Sequence, residues 1–457
     1  MLDNFQYLNI DLPEDIKALK YYGDFEEAKR IIDLRVQKLD GALKERLLLE
    51  KEILDVLGKE YRFNYDEALV EVRSKISDFT EEEFKKYEDE GFIGWIFKNG
   101  KKAYINSFAD NLLKVRPELE ARKIGEVEQR EISHFGVLDE VVAKMKSEGS
   151  ASYKIEMKES IKIEKDAERI GEKILVHIPI PNASIQVKNV EILEYSPKDA
   201  YIAPFEHRFR TISFDTTLEA DQEFFVRYSY EMHNKYVELD PNMVPENHSY
   251  PEELKEFTKE KLPHIAFTPY LKEVYKEYID DETNPVKIAR AAYDFVTTNV
   301  MYQYVRPYFT ILDIPTYCAT NRKGDCGLQA LVFITLCRMG GIPARWQSGL
   351  FTSPAHCGNH DWAQIYIEPY GWVFGDCSFG GAAYRTGSMD RWNFYFGNLD
   401  PFRMVANTDF QCEYDPPKKQ LSQDPYDNQC GEVEYEDRGL RRSEYESKKE
   451  ILKIGEI

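Results

Sequence analysis

Long apolar runs are missing from this chain. No uninterrupted hydrophobic stretch approaches bilayer length, and the opening M-L-D-N-F-Q-Y-L-N-I-D places acids where a secretory leader needs a basic region and an apolar run. The expected compartment is the cytoplasm, with no membrane partner. Basic charge is scarce as well: 60 Lys and Arg stand against 81 Asp and Glu, a net charge of -21, which argues against a general binder of nucleic acid or anionic lipid. A basic or neutral substrate is easier to accommodate. Cysteine is limited to seven positions (318, 326, 337, 357, 377, 412 and 430), an odd number without regular spacing, so a disulfide framework is not expected. The absence of any C-x-x-C pair weakens a zinc reading of His356, Cys357 and His360 with Cys318 and Cys377. Free thiols, no metal and no cofactor are the expectation. Internal repeats are also lacking: Gly23-Asp24-Phe25 has the flavour of a tetratricopeptide hairpin, yet nothing of that period follows.

What is present divides into modules. At 457 residues the chain exceeds one compact core. Residues 1–150 read as a helical module: Pro13 starts a helix, Gly23-Asp24 joins a stop to an N-cap, and helices follow over Phe25 to Leu39 and Ala42 to Leu57. Phe79-Thr80 opens another capped helix, and Lys98-Asn99-Gly100 marks a β-hairpin near 94–105. Helix plus hairpin resembles a winged-helix fragment, but the acidic setting argues against DNA reading. Residues 151–240 alternate in short runs and predict a small antiparallel β-sandwich. Residues 241–457 begin helical, and Val286 to Asn299 is the amphipathic helix expected to back the next element. After Phe402 the tail predicts an edge strand over Gly431 to Asp437 and a charged helix over Ser443 to Leu452.

The chain is organised around Asn321 to Gly380. Residues 326–339 are almost continuously apolar, so they predict a buried helix, ended by Gly340-Gly341 and Pro343. Cys326 then sits at a helix N-terminus, where unpaired N–H groups and the dipole favour a thiolate. Downstream, Asp361 to Ile367 and Trp372 to Asp376 read as a hairpin about Glu368-Pro369-Tyr370-Gly371, which brings His360 close to Asp376. If the hairpin packs on the Cys326 helix, Cys, His and Asp stand in the order nucleophile, base, orienter.

The run Gly324-Asp325-Cys326-Gly327-Leu328, the Gly341-Ile342-Pro343-Ala344-Arg345 strand entry, His360-Asp361-Trp362-Ala363 and Gly371-Trp372-Val373-Phe374-Gly375-Asp376 together resemble the core of the transglutaminase-like superfamily over roughly Val286 to Gly381. The resemblance implies an α+β multidomain protein: helical module, β-sandwich, then a papain-like, transglutaminase-like α+β core. It also implies catalytic roles for Cys326, His360 and Asp376. Cys377 departs from the family, where a Pro or small residue often follows the Asp. Animal relatives are calcium-regulated, but no D-x-[DN]-x-[DN]-G loop is present.

Other residues have plainer readings. Cys337 is core, and Asp325 is an N-cap. His356 is a loop residue before the base. Asp361 rivals Asp376 as orienter, but adjacent strand residues face opposite ways, so Asp376 is preferred. The oxyanion hole needs donors aimed at developing charge: the Cys326 N–H is one, and Tyr302 or Gln303 is offered as the other. Trp346, Trp362 and Trp372 have the spacing of sheet residues and read most simply as core packing, with a wall of the acyl channel as the alternative role for one of them, Trp346 and Trp362 being the candidates. The expected activity is attack on a peptide or side-chain amide bond of a protein or peptide substrate through an acyl-enzyme. Hydrolysis is favoured over glutamine acyl transfer because the segment from Thr352 to Asn359, read as a loop beside the site, offers no aromatic lid. A non-catalytic protein-binding scaffold is the rival from another class. The sequence is silent on oligomeric state.

Overall fold

A computed structural model describes residues 5–125, 134–245, 250–421 and 426–457. The α+β multidomain class is the one observed, with a helical module, a β-sandwich and an α+β core. In the helical module, Glu14–Tyr22, Phe25–Val36 and Ala42–Glu60 pack through Ile16, Ala28, Ile32, Leu47, Ile53 and Leu57, all buried. Gly23 ends the first helix at a φ of 87°, and Asp24 caps the second by accepting from the Glu27 N–H. The hairpin is formed by Trp95–Lys98 and Lys101–Tyr104, with Asn99 and Gly100 both at positive φ.

The sandwich is two four-stranded antiparallel sheets. One runs in the order Glu432–Tyr435, Lys173–Pro179, Thr211–Thr217, Tyr201–Ile202. The other runs Tyr445–Glu456, Ser150–Ile163, Glu223–Lys235, Val187–Ser196. The tail therefore supplies one edge strand to each sheet. The charged helix expected over Ser443 to Leu452 is instead a strand, in which Tyr445, Ser447, Lys449 and Ile451 turn inward and Glu446, Lys448, Glu450 and Leu452 outward. Charge density suggested a helix; the period-two pattern and the open edge of Ser150–Ile163 decide otherwise.

The core sheet is antiparallel, in the order Phe396–Gly397, Gly371–Gly375, His356–Ile367, Ala344–Ser353, Arg403–Asn407. Its hairpin partners run without interruption from Ala344↔Ile365 to Ser353↔His356, so the segment from Thr352 to Asn359 is a tight hairpin and not the loop expected there. One face of this sheet packs on the Cys326–Met339 helix through Ala344, Trp346, Ala363, Ile365 and Ile367; the other joins the sandwich core through Trp362, Met404 and Val405. The helix Pro285–Asn299 lies behind the Cys326 helix, with Ile288 against Gly340. Among the described residues no helix is long and apolar enough to cross a membrane.

One buried acid in the sandwich gives a stability prediction. Glu159 is fully buried, lies directly across from Lys449 and accepts a hydrogen bond from the Tyr228 hydroxyl. Burial pushes its carboxyl up to about 7, against the pull of Lys449 and Tyr228. Between its unfolded value near 4.5 and about 7 the folded chain binds the extra proton. Stability therefore falls as pH rises through that window, by about 1.4 kcal/mol per unit at most. Chemical denaturation at pH 5 and pH 8 should show Glu159→Gln losing roughly 3 kcal/mol less than wild type over the interval. Equal losses in both proteins would contradict the assignment.

Candidate active site

The Cys326 helix is buried along its length, from Cys326 to Arg338. Asp325 caps it by accepting from the Leu328 N–H at 3.1 Å, and the Tyr308 hydroxyl donates to the same carboxylate oxygen at 2.7 Å. Burial pushes this carboxyl up to about 6. Gly327 is required for close approach: a Cβ there would lie 2.1 Å from the Tyr308 hydroxyl and 2.9 Å from the Trp346 ring. Tyr308 and Trp346 thus fix the helix end on which Cys326 stands.

Cys326 is 8% exposed and opens on a cleft of ≈ 560 Å³. The helical module, the core and the tail wall this cleft: Glu60 and Lys114 come from the first, Tyr302, His356 and Asp361 from the second, and Asp427, Gln429 and Arg442 from the third. The Cys326 thiol donates to Asp361 Oδ2 at 3.2 Å, and the Asp361 peptide N–H is directed at the sulfur. Burial, then the carboxylates of Asp361 and Asp325, push the thiol well above its ordinary range. Both effects act against the thiolate expected from a helix N-terminus. The dipole is outweighed by desolvation and two nearby negative charges.

His360 and Asp376 form a separate buried pair. His360 Nε2 donates to Asp376 Oδ2 at 2.7 Å, Arg403 Nη2 donates to the same oxygen at 3.0 Å, and the Phe379 N–H donates to Asp376 Oδ1 at 2.9 Å. Burial alone would raise the Asp376 carboxyl; His360 and Arg403 outweigh it and hold the group below the usual range. Arg403 is itself held by Asp400, Nη1 to Oδ1 at 3.0 Å. The His360 ring packs on Phe379, with centroids 4.4 Å apart, and lies 5.9 Å from that of Trp362. With Nε2–H given to Asp376, Nδ1 is the acceptor atom of the neutral ring.

The structure brings His360 to Asp376 but makes no hydrogen bond between His360 and Cys326. Strand alternation, which set Asp361 aside in the sequence, is what points Asp361 at the thiol while His360 faces the other way. His356, read as a loop residue, begins the strand and lines the cleft. Of the two proposed oxyanion donors, Tyr302 lines the cleft and Gln303 does not: the Gln303 N–H donates to Gly324 O and its Nε2 to Phe92 O. Neither Trp346 nor Trp362 walls the cleft. Trp346 packs on Phe410 in the core, and Trp362 is fully buried with its Nε1 donating to Gln347 at 2.8 Å. Arg403 and Gln429 escaped sequence reasoning because no local pattern ties them to the motif; only the fold returns the tail to it. Among the described residues no three His, Cys, Asp or Glu converge as metal ligands.

The model of the transglutaminase-like superfamily matches residues 272–377 and so spans Cys326, His360 and Asp376. Solved structures similar to this chain include a candidate cysteine protease from Cytophaga hutchinsonii, 14% identical, with a TM-score of 0.45 over 67% of this chain and 91% of that one. The periplasmic domain of TgpA from Pseudomonas aeruginosa is 13% identical, with a TM-score of 0.28 over 55% of this chain and 96% of its own. No curated relative matches the chain.

The Cys326–Asp361 contact makes a direct prediction. Asp361→Asn removes a negative charge that holds the thiol proton, so iodoacetamide should alkylate Cys326 about tenfold faster at neutral pH, the effect of one pKa unit. Peptide mass spectrometry reads the rate site by site, and an unchanged Cys326 rate would contradict the role given to Asp361.

Proposed function

We propose that this protein is a thiol enzyme that cleaves peptide or side-chain amide bonds through an acyl-enzyme on Cys326, with His360 carrying the proton and Asp376 orienting the imidazole. The observation that carries this reading is the placement of Cys326 at the head of a buried helix, open to the cleft and against the His360–Asp361 peptide, inside the segment matched by the family model. The tautomer supports His360 as base, because Asp376 and Arg403 fix Nε2 as the donor and leave Nδ1 to take a proton. Catalytic hydrogen bonds in ligand-free sites are commonly long and tighten when substrate enters. A second reading, favoured by the 3.2 Å contact, gives the thiol proton to Asp361.

The acyl oxygen would be met by the Cys326 N–H and the Tyr302 hydroxyl. Burial, then the neighbouring Cys326 and Asp325, keep the Tyr302 phenol far above its ordinary range, so it remains a donor. Hydrolysis is favoured over acyl transfer on the character of the walls. Tyr302, Tyr304 and Tyr308 do supply aromatic surface, but Glu60, Lys114, Arg306, Asp427 and Arg442 line the same space. Such a cleft stays wet, and water at ~55 M outcompetes a dilute amine. The seven unpaired cysteines fit a reducing compartment such as the cytoplasm.

A glutamine peptide offered with a fluorescent primary amine should yield free carboxylate product and little incorporated amine, and Cys326→Ala should abolish both. Efficient incorporation at millimolar amine would restore protein-glutamine acyl transfer as the activity. Product formation by Cys326→Ala would remove the thiol mechanism altogether.

A further inference from the structure

The tail crosses the site between two firm anchors. Upstream, the Tyr426 ring packs on those of Phe410 and Phe5 at 5.3 and 4.8 Å, and its hydroxyl lies 2.8 Å from His264 Nε2. His264 Nδ1 donates to Leu312 O at 2.7 Å, so Nε2 is the acceptor and the Tyr426 hydroxyl donates. Downstream, Glu432–Tyr435 is hydrogen-bonded into the sandwich against Lys173–Pro179. Between these anchors Asn428 O accepts from Asn407 Nδ2 at 3.2 Å, and Cys430 Sγ accepts from Asn359 Nδ2 at 2.7 Å. Gln429 is 4% exposed and lines the cleft. Its Nε2 donates to His360 O at 2.9 Å and to Asp361 Oδ1 at 2.5 Å.

Both N–H bonds of one amide are thus spent on Asp361, which touches the sulfur, and on the backbone of His360 beside it. Asp361 is gripped from both sides: Gln429 donates to Oδ1 and the Cys326 thiol to Oδ2. We propose that residues 427–430 are a built part of the active site and that Gln429 is the positioning residue that aims the Asp361 carboxylate at Cys326 and fixes the His360 backbone. The family match ends at residue 377, so this element lies outside the segment it covers. The proposal rests on the thiol-enzyme reading for its catalytic meaning. The coupling among Gln429, Asp361 and Cys326 is measurable without it.

Removing the Gln429 donor leaves the Asp361 charge less neutralised, so the carboxylate holds the thiol proton more tightly. The pH midpoint for iodoacetamide alkylation of Cys326 should rise by about one unit in Gln429→Leu, with alkylation about tenfold slower at a fixed pH below it. Gln429→Glu, which adds charge beside Oδ1, should raise it further. In an Asp361→Asn background the Gln429→Leu shift should vanish, because the group through which it acts is gone. A merely structural role predicts instead the same shift in both backgrounds. Unfolding transitions of each variant show that a folded protein is being titrated. An unmoved midpoint in both Gln429 variants, or a shift that persists in Asp361→Asn, overturns the proposal. Either result with acyl-probe labelling of Cys326 intact leaves the thiol-enzyme reading standing; the predicted coupling without such labelling sinks that reading and not this one.

Discussion

The strand His356–Ile367 carries two buried polar networks on opposite faces, and the site depends on how its alternation divides them. At Asp361 the strand turns a carboxylate toward the Cys326 thiol and Gln429; one residue earlier His360 turns toward Asp376 and Arg403. Groups of this kind are tolerated in an interior only when each has a partner, since an unpaired buried charge is far more costly than an unpaired neutral group. Arg403 matters for that reason. Without its guanidinium, Asp376 and Asp400 would be two carboxylates in one dry space, and the carboxylate that fixes the His360 tautomer would tend to take up a proton.

The cleft is composite. Asn111 of the helical module grips the backbone of Tyr304, donating to its O at 3.2 Å and accepting from its N–H at 2.7 Å, and Lys114 lies 4.0 Å from the centre of the Tyr302 ring. The segment from Tyr302 to Tyr304 is therefore held by the first module, while the tail supplies further wall residues. This arrangement gives the helical module a role that its own sequence does not announce: it completes a wall of the cleft.

Much of the core was legible because its signals are local. The apolar run from Cys326, the stop at Gly340-Gly341 and the turn at Glu368-Pro369 each act within a few residues, and the helix and hairpin follow from them. Long-range pairing was not legible in the same way. Lys449 and Glu450 read as helix formers until the open edge of Ser150–Ile163 is seen, and nothing near Gln429 points to Asp361. Electrostatics was the other gap. A helix N-terminus favours a thiolate in isolation, but the burial and the two carboxylates that reverse this at Cys326 appear only once the chain is folded.

The central claim is that Cys326 is a nucleophile served by His360 and not by Asp361. The most direct measurement is intact-protein mass spectrometry after incubation with an aldehyde or activated-acyl probe, comparing wild type with Cys326→Ala, His360→Ala, His356→Ala and Asp361→Asn. The account predicts one adduct on Cys326 in wild type, retained in His356→Ala and Asp361→Asn and lost in Cys326→Ala and His360→Ala. An adduct that survives His360→Ala but disappears in Asp361→Asn would contradict it.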